Sequence, residues 1–190
     1  MGSACRMKYK FLGSPLGKIE ISGCEAGVHR IKLLEKRFQR PDSSSPDSHE
    51  ASFAGECLEG PREVVTALDK CAAWLEAYFY APERLGDLPL PAFHHPLFQQ
   101  DSFRRQVLWK LVTAVKLGDT ISYQQLAALV GKSRAARAVG GVMRDNPVPI
   151  IIPCHRVIYS NGRIGNYTGG VGVKEWLLDH EKHLKRKWAN

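Results

Sequence analysis

The sequence predicts an α+β fold in two parts, a small α/β unit over residues 1–93 and a mostly helical unit over 94–190 that contains a helix-turn-helix. Three observations carry this. Three short strand-like segments crowd the first 34 residues, a proline-rich stretch without periodicity occupies 81–100, and the remainder reads as successive amphipathic helices.

The elements follow in order. "MKYKFL" (7–12) and "GKIEIS" (17–22) flank a turn, and the second alternates Ile19 and Ile21 with Lys18 and Glu20, as a half-buried strand does. "GVHRIKLL" (27–34) is the third strand. Residues 39–61, rich in Ser, Pro, Asp and Glu, read as a mobile surface loop holding a free Cys57. Pro61 suits a helix start, and Val65, Leu68, Ala72, Leu75 and Phe79 then form a helical stripe, with Cys71 packed beside it. After the proline-rich linker, Phe103, Val107, Leu108, Leu111 and Val115 mark one face of another helix. Ser122 can cap "YQQLAALV", Gly131 can end it, and Ser133 can cap "RAARAVGGVMR", so 122–145 forms a helix-turn-helix. The second helix presents Arg134, Arg137 and Arg144 beside the small residues Ala135, Ala136, Ala138, Gly140 and Gly141. Such a helix suits close approach to a partner surface or tight packing in a core, and the surrounding charge favours DNA. Asn161-Gly162 turns the chain, "GNYTGG" is a glycine loop, and "VKEWLLDHEKHLKRKW" closes it as a helix.

The charge is uneven. The chain carries +8, with 12 Lys/Arg against 13 Asp/Glu in residues 1–100 and 15 against 6 in 101–190, a net of −1 and +9. A basic half beside a neutral one points to a polyanion, nucleic acid before an anionic membrane. No apolar run is long enough for a membrane span, and "MGSACRMKYK" has no apolar stretch of a secretory signal. Five cysteines, an odd number, suit thiols in a reducing compartment better than a disulfide framework.

One of them stands apart. Cys154 in "IIIPCHRVI" follows an apolar run that reads as a buried strand, where cysteine packs as a small hydrophobe, yet His155 and Arg156 come directly after it. Export for a disulfide and further ligands at metal spacing are both lacking, which leaves packing or nucleophilic attack. Attack has a geometric demand: neighbours on a strand face opposite ways, so either the backbone bends at Pro153 or the proton path runs through water.

"IIPCHRV", preceded by "AVGG.M..NP.P" and followed by "GNY.GG", resembles the O6-alkylguanine-DNA alkyltransferases, which reverse DNA alkylation directly. "SPLG", "SGCE", "AWLEAYF", "HHP.FQQ", "RQVLW" and "ISYQQLAAL" extend the similarity to most of 5–181, in a vertebrate-like form, leaving out 39–61 and the tail beyond about 182. The resemblance implies a ribonuclease H-like first domain and a second domain that transfers an alkyl group from guanine O6 to Cys154, once per molecule. It implies that His155 acts on the thiol through water, that Glu181 orients His155, and that Tyr123 donates its hydroxyl near the purine. Asn146 would hold the turn before the cysteine. Met143, Pro149, Val157, Tyr167 and Thr168 would line the base pocket, Thr168 standing where mammalian members have serine. Arg137 would fill the stack vacated by a flipped base, with Ser122, Tyr123, Ala135, Ala136, Gly140 and Arg144 against the minor groove of double-stranded DNA, bound without sequence preference by a monomer in the nucleus. Cys5, Cys24, His29 and His94 would hold a structural zinc, although the C-x4-H spacing alone is weak. His95 would be a structural hydrogen-bonder, and no organic cofactor is implied. Three other readings remain open here: a lesion-binding protein without chemistry, a thiol hydrolase, and a dimeric helix-turn-helix regulator.

Overall fold

A computed structural model describes residues 5–34 and 66–188, so the loop expected at 39–61, with Cys57, lies outside the described residues. The chain divides into two compact units between His94 and His95.

In the first unit, β1 (Lys8–Ser14), β2 (Gly17–Cys24) and β3 (Gly27–Leu33) form an antiparallel sheet in the order β1-β2-β3. Ile19 faces Leu33 and Ile21 faces Ile31 across β2–β3, so the alternation in the sequence sets which side is buried. Ile19, Ile21 and Val28 are fully buried. Helix α1 (Ala67–Tyr80) packs on the sheet through Leu68, Cys71, Ala72, Leu75 and Phe79. Burying Leu68, Leu75 and Phe79 contributes about 1.5–3 kcal/mol each. The buried Cys71 thiol is pushed up to about 12 by burial, which suits packing and not attack. The helix is described from Ala67; the start expected at Pro61, and Val65 of the expected stripe, lie outside the described residues. Thr66 is its N-cap, its hydroxyl accepting from Asp69 N (3.2 Å) while the Asp69 carboxylate accepts from Thr66 N (2.9 Å), a reciprocal box that fixes the first turn.

The proline-rich stretch is more than a connector. Pro82–Arg84 forms a 3₁₀ turn, and residues 92–94 pair beside β3, with Val28 N donating to Ala92 O (2.7 Å) and His94 N to Val28 O (2.8 Å). The pattern was illegible because a single bridged residue has no periodicity.

The second unit opens with His95, whose ring accepts from Leu97 N (3.1 Å) at the start of α2 (Pro96–Gln99). Helix α3 (Phe103–Ala114) buries Val107, Leu108 and Leu111. The two-residue strands β4 (Ile121–Ser122) and β5 (Val157–Ile158) pair in parallel. Helix α4 (Tyr123–Leu129) is capped by Ser122, whose hydroxyl accepts from Gln125 N (3.0 Å). Gly131 takes φ +72°, ending the helix. Helix α5 (Ala136–Arg144) starts two residues later than Ser133 would place it. Ser133 and Arg134 sit in a turn closed by Ala135 N to Lys132 O (2.8 Å), and Ala135 occupies the N-cap without a side-chain cap. Helix α6 (Val171–Trp188) ends the described chain.

Candidate functional site

"IIIPCHRVI" is buried as expected but is not a strand. Pro147 and Pro149 prevent α5 from continuing. Asn146 then clamps the chain: its Oδ1 accepts from Val148 N (3.1 Å) and its Nδ2 donates to Ile152 O (2.9 Å). Between these anchors Ile150 takes φ +73°, which a β-branched residue adopts only when its surroundings force it, at about 1–3 kcal/mol. Ile150 and Ile152 are fully buried, which supplies the force. The chain then bends at Pro153 (φ −84°, ψ 63°) into a 3₁₀ turn over Cys154–Arg156. With three residues per turn, neighbouring side chains are no longer opposed as on a strand. The chain therefore does bend at Pro153, and Cys154 and His155 are not held on opposite faces of a strand.

Each residue of that turn has a separate environment. Cys154 is 3% exposed. Burial raises its thiol above the ordinary value, while the Asn146 amide, the Tyr167 hydroxyl and the Lys174 ammonium pull the other way. His155 is fully buried, and its Nε2 lies 2.6 Å from Glu181 Oε1. Because a carboxylate can only accept, Nε2 carries the proton, and Nδ1, which is buried without a hydrogen-bond partner among the described residues, is the basic nitrogen. Burial lowers the imidazole below its ordinary value although Glu181 opposes this. Arg156 closes the set with Nε to Glu181 Oε2 (2.8 Å), Nη2 to Oε1 (3.0 Å) and Nη1 to Val115 O (2.7 Å). Gly118 N also donates to Oε2 (3.1 Å). Burial would raise Glu181, but His155 and Arg156 hold its carboxyl well below the usual range, so it is an anion.

Cys154 opens into a cavity of about 700 Å³. Its wall holds Tyr123, Ala136, Arg137, Gly140, Met143 and Arg144 from the helix-turn-helix, and Tyr159, Tyr167 and Thr168 from beyond the cysteine. Burial raises the Tyr123 hydroxyl, as do nearby Tyr159 and Cys154, so it stays a donor. Thr168 Oγ1 donates to Arg144 O (3.0 Å), tying the glycine loop to the end of α5. Asn146, Pro149, His155, Val157 and Glu181 stand outside that wall. Val157 is fully buried, and its carbonyl accepts from Lys174 Nζ (2.6 Å). The Ser122 hydroxyl is engaged in capping and the residue is buried. Arg137 and Arg144 are exposed and Ala135 and Ala136 half-buried. A Cβ at Gly141 would meet nothing within 4 Å, and one at Gly140 only the Tyr123 ring at 4.0 Å. The glycines of α5 are therefore not demanded by packing within the unit.

Lys174, Tyr159 and Asn166 belong to this region without having been singled out from the sequence. Lys174 is the clearest omission: it is 1% exposed and burial lowers its ammonium to about 8. Its spacing to Leu177 and Glu181, both buried on α6, was a signal that a lysine lay on the inner stripe.

In the first unit, Cys5, Cys24, His29 and His94 offer one ligand atom each, all within 4.8 Å of one another. Cys24 Sγ lies 3.2 Å from His94 Nδ1 and 3.3 Å from His29 Nε2, Cys5 Sγ lies 3.5 Å from His94 Nδ1, and the two imidazole nitrogens are 3.2 Å apart. Edges of a tetrahedron around an ion bound by two sulfurs and two nitrogens run roughly 3.3–3.8 Å. The donor set and its spacing fit a bound metal ion.

Comparison with known proteins agrees with both units. The model of the 6-O-methylguanine DNA methyltransferase DNA-binding domain matches residues 102–183, and that of the family's ribonuclease-like domain matches 7–92. Methylated-DNA–protein-cysteine methyltransferase of Mus musculus is 59% identical over 182 residues, covering 95% of this chain and 84% of that protein. The protein of the same name from Homo sapiens is 57% identical over 183 residues, covering 96% and 84%. Mycobacterium tuberculosis OGT, solved in complex with DNA, superposes with a TM-score of 0.66 at 27% identity over 92% of each chain. The chain belongs to the 6-O-methylguanine DNA methyltransferase family.

Proposed function

We propose that this protein repairs DNA by moving an alkyl group from guanine O6 to its own Cys154. The observation that carries the reading is a buried cysteine opening into a cavity whose rim is the arginine-bearing helix of a helix-turn-helix. In the step, Sγ forms the new S–C bond as the C–O bond breaks. The bond pair stays on the purine, which takes up a proton, and the thiol proton leaves toward His155 Nδ1, relayed by a water. Glu181 stabilises the imidazolium through Nε2, and the Tyr123 hydroxyl donates to the purine as charge develops. Because burial favours the neutral thiol, proton removal belongs to the transfer itself and not to the resting protein. The products are guanine and a thioether with no easy leaving group, so one chain serves once. Given excess duplex carrying O6-methylguanine, restoration should stop at one guanine per chain. Continued turnover would contradict the reading and favour a thiol hydrolase.

A lesion inside a duplex reaches Cys154 only as an extrahelical base. Arg137, exposed on α5, takes the vacated place in the stack, and the open surface over Gly140 and Gly141 admits the minor groove. Contacts to phosphates dominate, so a monomer binds with little sequence preference and affinity falls steeply with salt. Arg137→Ala should slow transfer from duplex DNA on the order of tenfold or more while changing attack on the free base less than about twofold. Single-turnover rates on both substrates check this, and equal losses would rule out the finger role.

The ion held by Cys5, Cys24, His29 and His94 is zinc in this reading, with a structural role: it ties the segment before β1 and residue 94 to the β2–β3 turn. Protein purified without chelator should carry close to one zinc per chain. Chelation should lower its melting temperature while a refolded second unit retains transfer chemistry. Less than about a tenth of an equivalent would contradict the site.

A further inference from the structure

Tyr159 lies at the cavity mouth and has no part in the chemistry described above. It is 49% exposed, an unusual state for an aromatic ring that nevertheless lines the same cavity as Cys154. Its backbone is fixed by a tight hairpin, Tyr159 N donating to Arg163 O (2.9 Å) and Gly162 N to Tyr159 O (2.9 Å). Its ring sits 5.3 Å from the Tyr123 ring, centroid to centroid, at 49°. On another side it presses on Gly165, where a Cβ would come within 2.8 Å of Tyr159 Cε2 and 3.6 Å of Tyr123 Oη. Gly165 also takes φ +78°, so the backbone here accepts glycine for its conformation and for the space the ring occupies. Lys174 Nζ lies 5.9 Å from the centre of the Tyr123 ring. Of these neighbours of Tyr123, Lys174 is buried and Tyr159 stands at the solvent side.

Tyr123 needs such support. It is the first residue of a seven-residue helix, and its hydroxyl acts only if held near one position. A phenol ring left free at a cavity mouth would sample other rotamers, and misplacement by about 1 Å can cost on the order of a hundredfold in rate. We propose that Tyr159 is a positioning residue for alkyl transfer, its ring holding the Tyr123 ring and hence the Tyr123 hydroxyl at the mouth of the Cys154 cavity. The inference rests on the reading of Tyr123 as the donor to the purine.

A double-mutant cycle in the full chain tests it, read as single-turnover transfer from O6-methylguanine duplex across a range of protein concentrations and from the O6-benzylguanine free base. Wild type must first methylate Cys154; its failure to do so would overturn the proposed function and this inference with it, whereas the variant outcomes below overturn the inference alone. Tyr159→Ala is expected to lower the saturating transfer rate about five- to tenfold on both substrates, with the half-saturating DNA concentration changed less than about twofold. Tyr159→Phe, which keeps the ring, should stay within about twofold of wild type. In a Tyr123→Phe background, Tyr159→Ala should add less than about a twofold loss, because the hydroxyl it positions is gone. An equal loss in both backgrounds, a change confined to half-saturation, a Phe variant as slow as the Ala variant, or an Ala variant as fast as wild type would each overturn the proposal. Thermal melts of the variants confirm that folded protein is compared.

Discussion

Cys154→Ser is expected to bind O6-methylguanine duplex within about twofold of wild type and to transfer the methyl group at least about a thousandfold more slowly. The substitution is nearly isosteric in a site that is 3% exposed, so the cavity and the arginine face of α5 should persist. What changes is the nucleophile. A thiol can be ionised by an imidazole that burial makes only moderately basic; a serine hydroxyl cannot to any useful extent. Gel-shift titration and single-turnover assays on one preparation separate the two quantities. Parallel loss of binding and transfer would mean that the cysteine serves the fold. Retained transfer would move the acceptor elsewhere.

The second large effect lies at Glu181, the hub of the buried network. Glu181→Ala removes the acceptor for two Arg156 nitrogens, one backbone N–H and the His155 ring. An arginine that keeps its bond to Val115 O but is left buried without its counter-charge costs about 3–5 kcal/mol. For a chain of this size that lowers the melting temperature by on the order of 10 °C. Glu181→Gln keeps the shape and one oxygen, so it should fold better than the alanine variant yet still slow transfer, because the imidazolium loses its counter-charge. The sign with pH is definite. The Glu181 carboxyl lies below its ordinary 4.5, so its contribution is complete above that value and is lost as pH falls through the lower folded one. His155 acts in the same direction: the unfolded ring protonates from about 6.5 downward while the folded ring stays neutral, so stability also declines below 6.5. Wild type should therefore be acid-sensitive, and its advantage over Glu181→Gln should shrink below about pH 4. A stability gap that stays constant from pH 7 to pH 3 would contradict the network's charge assignment.

Much of this was legible in the sequence, for reasons that differ by element. Alternation fixed the buried face of β2, since Ile19 and Ile21 had no other side to occupy. The Ser122 cap showed because it is a local pattern of four residues. The start of α5 did not, since Ser133 looked like a better cap than Ala135 until the turn at Lys132–Ala135 took its place. The bend at Pro153 was one of two alternatives the sequence allowed, but the left-handed residue before it was hidden for a stronger reason. Nothing in "III" announces a left-handed Ile150; that conformation is imposed by the Asn146 clamp and by the core around it. The roles of His155 and Glu181 came from resemblance, because residues 26 apart in sequence meet only in the fold. Lys174 shows the converse, a buried charge on a helix whose many exposed charges give it no mark of its own.

Transfer as proposed leaves its mark at one atom, the sulfur of Cys154. The direct measurement is peptide mass analysis of the protein after reaction with O6-methylguanine duplex. One methyl group on the peptide containing Cys154, and none on those containing Cys5, Cys24 or Cys71, is the predicted result. An unmodified Cys154 alongside restored guanine, or a methyl group on another residue, would contradict it.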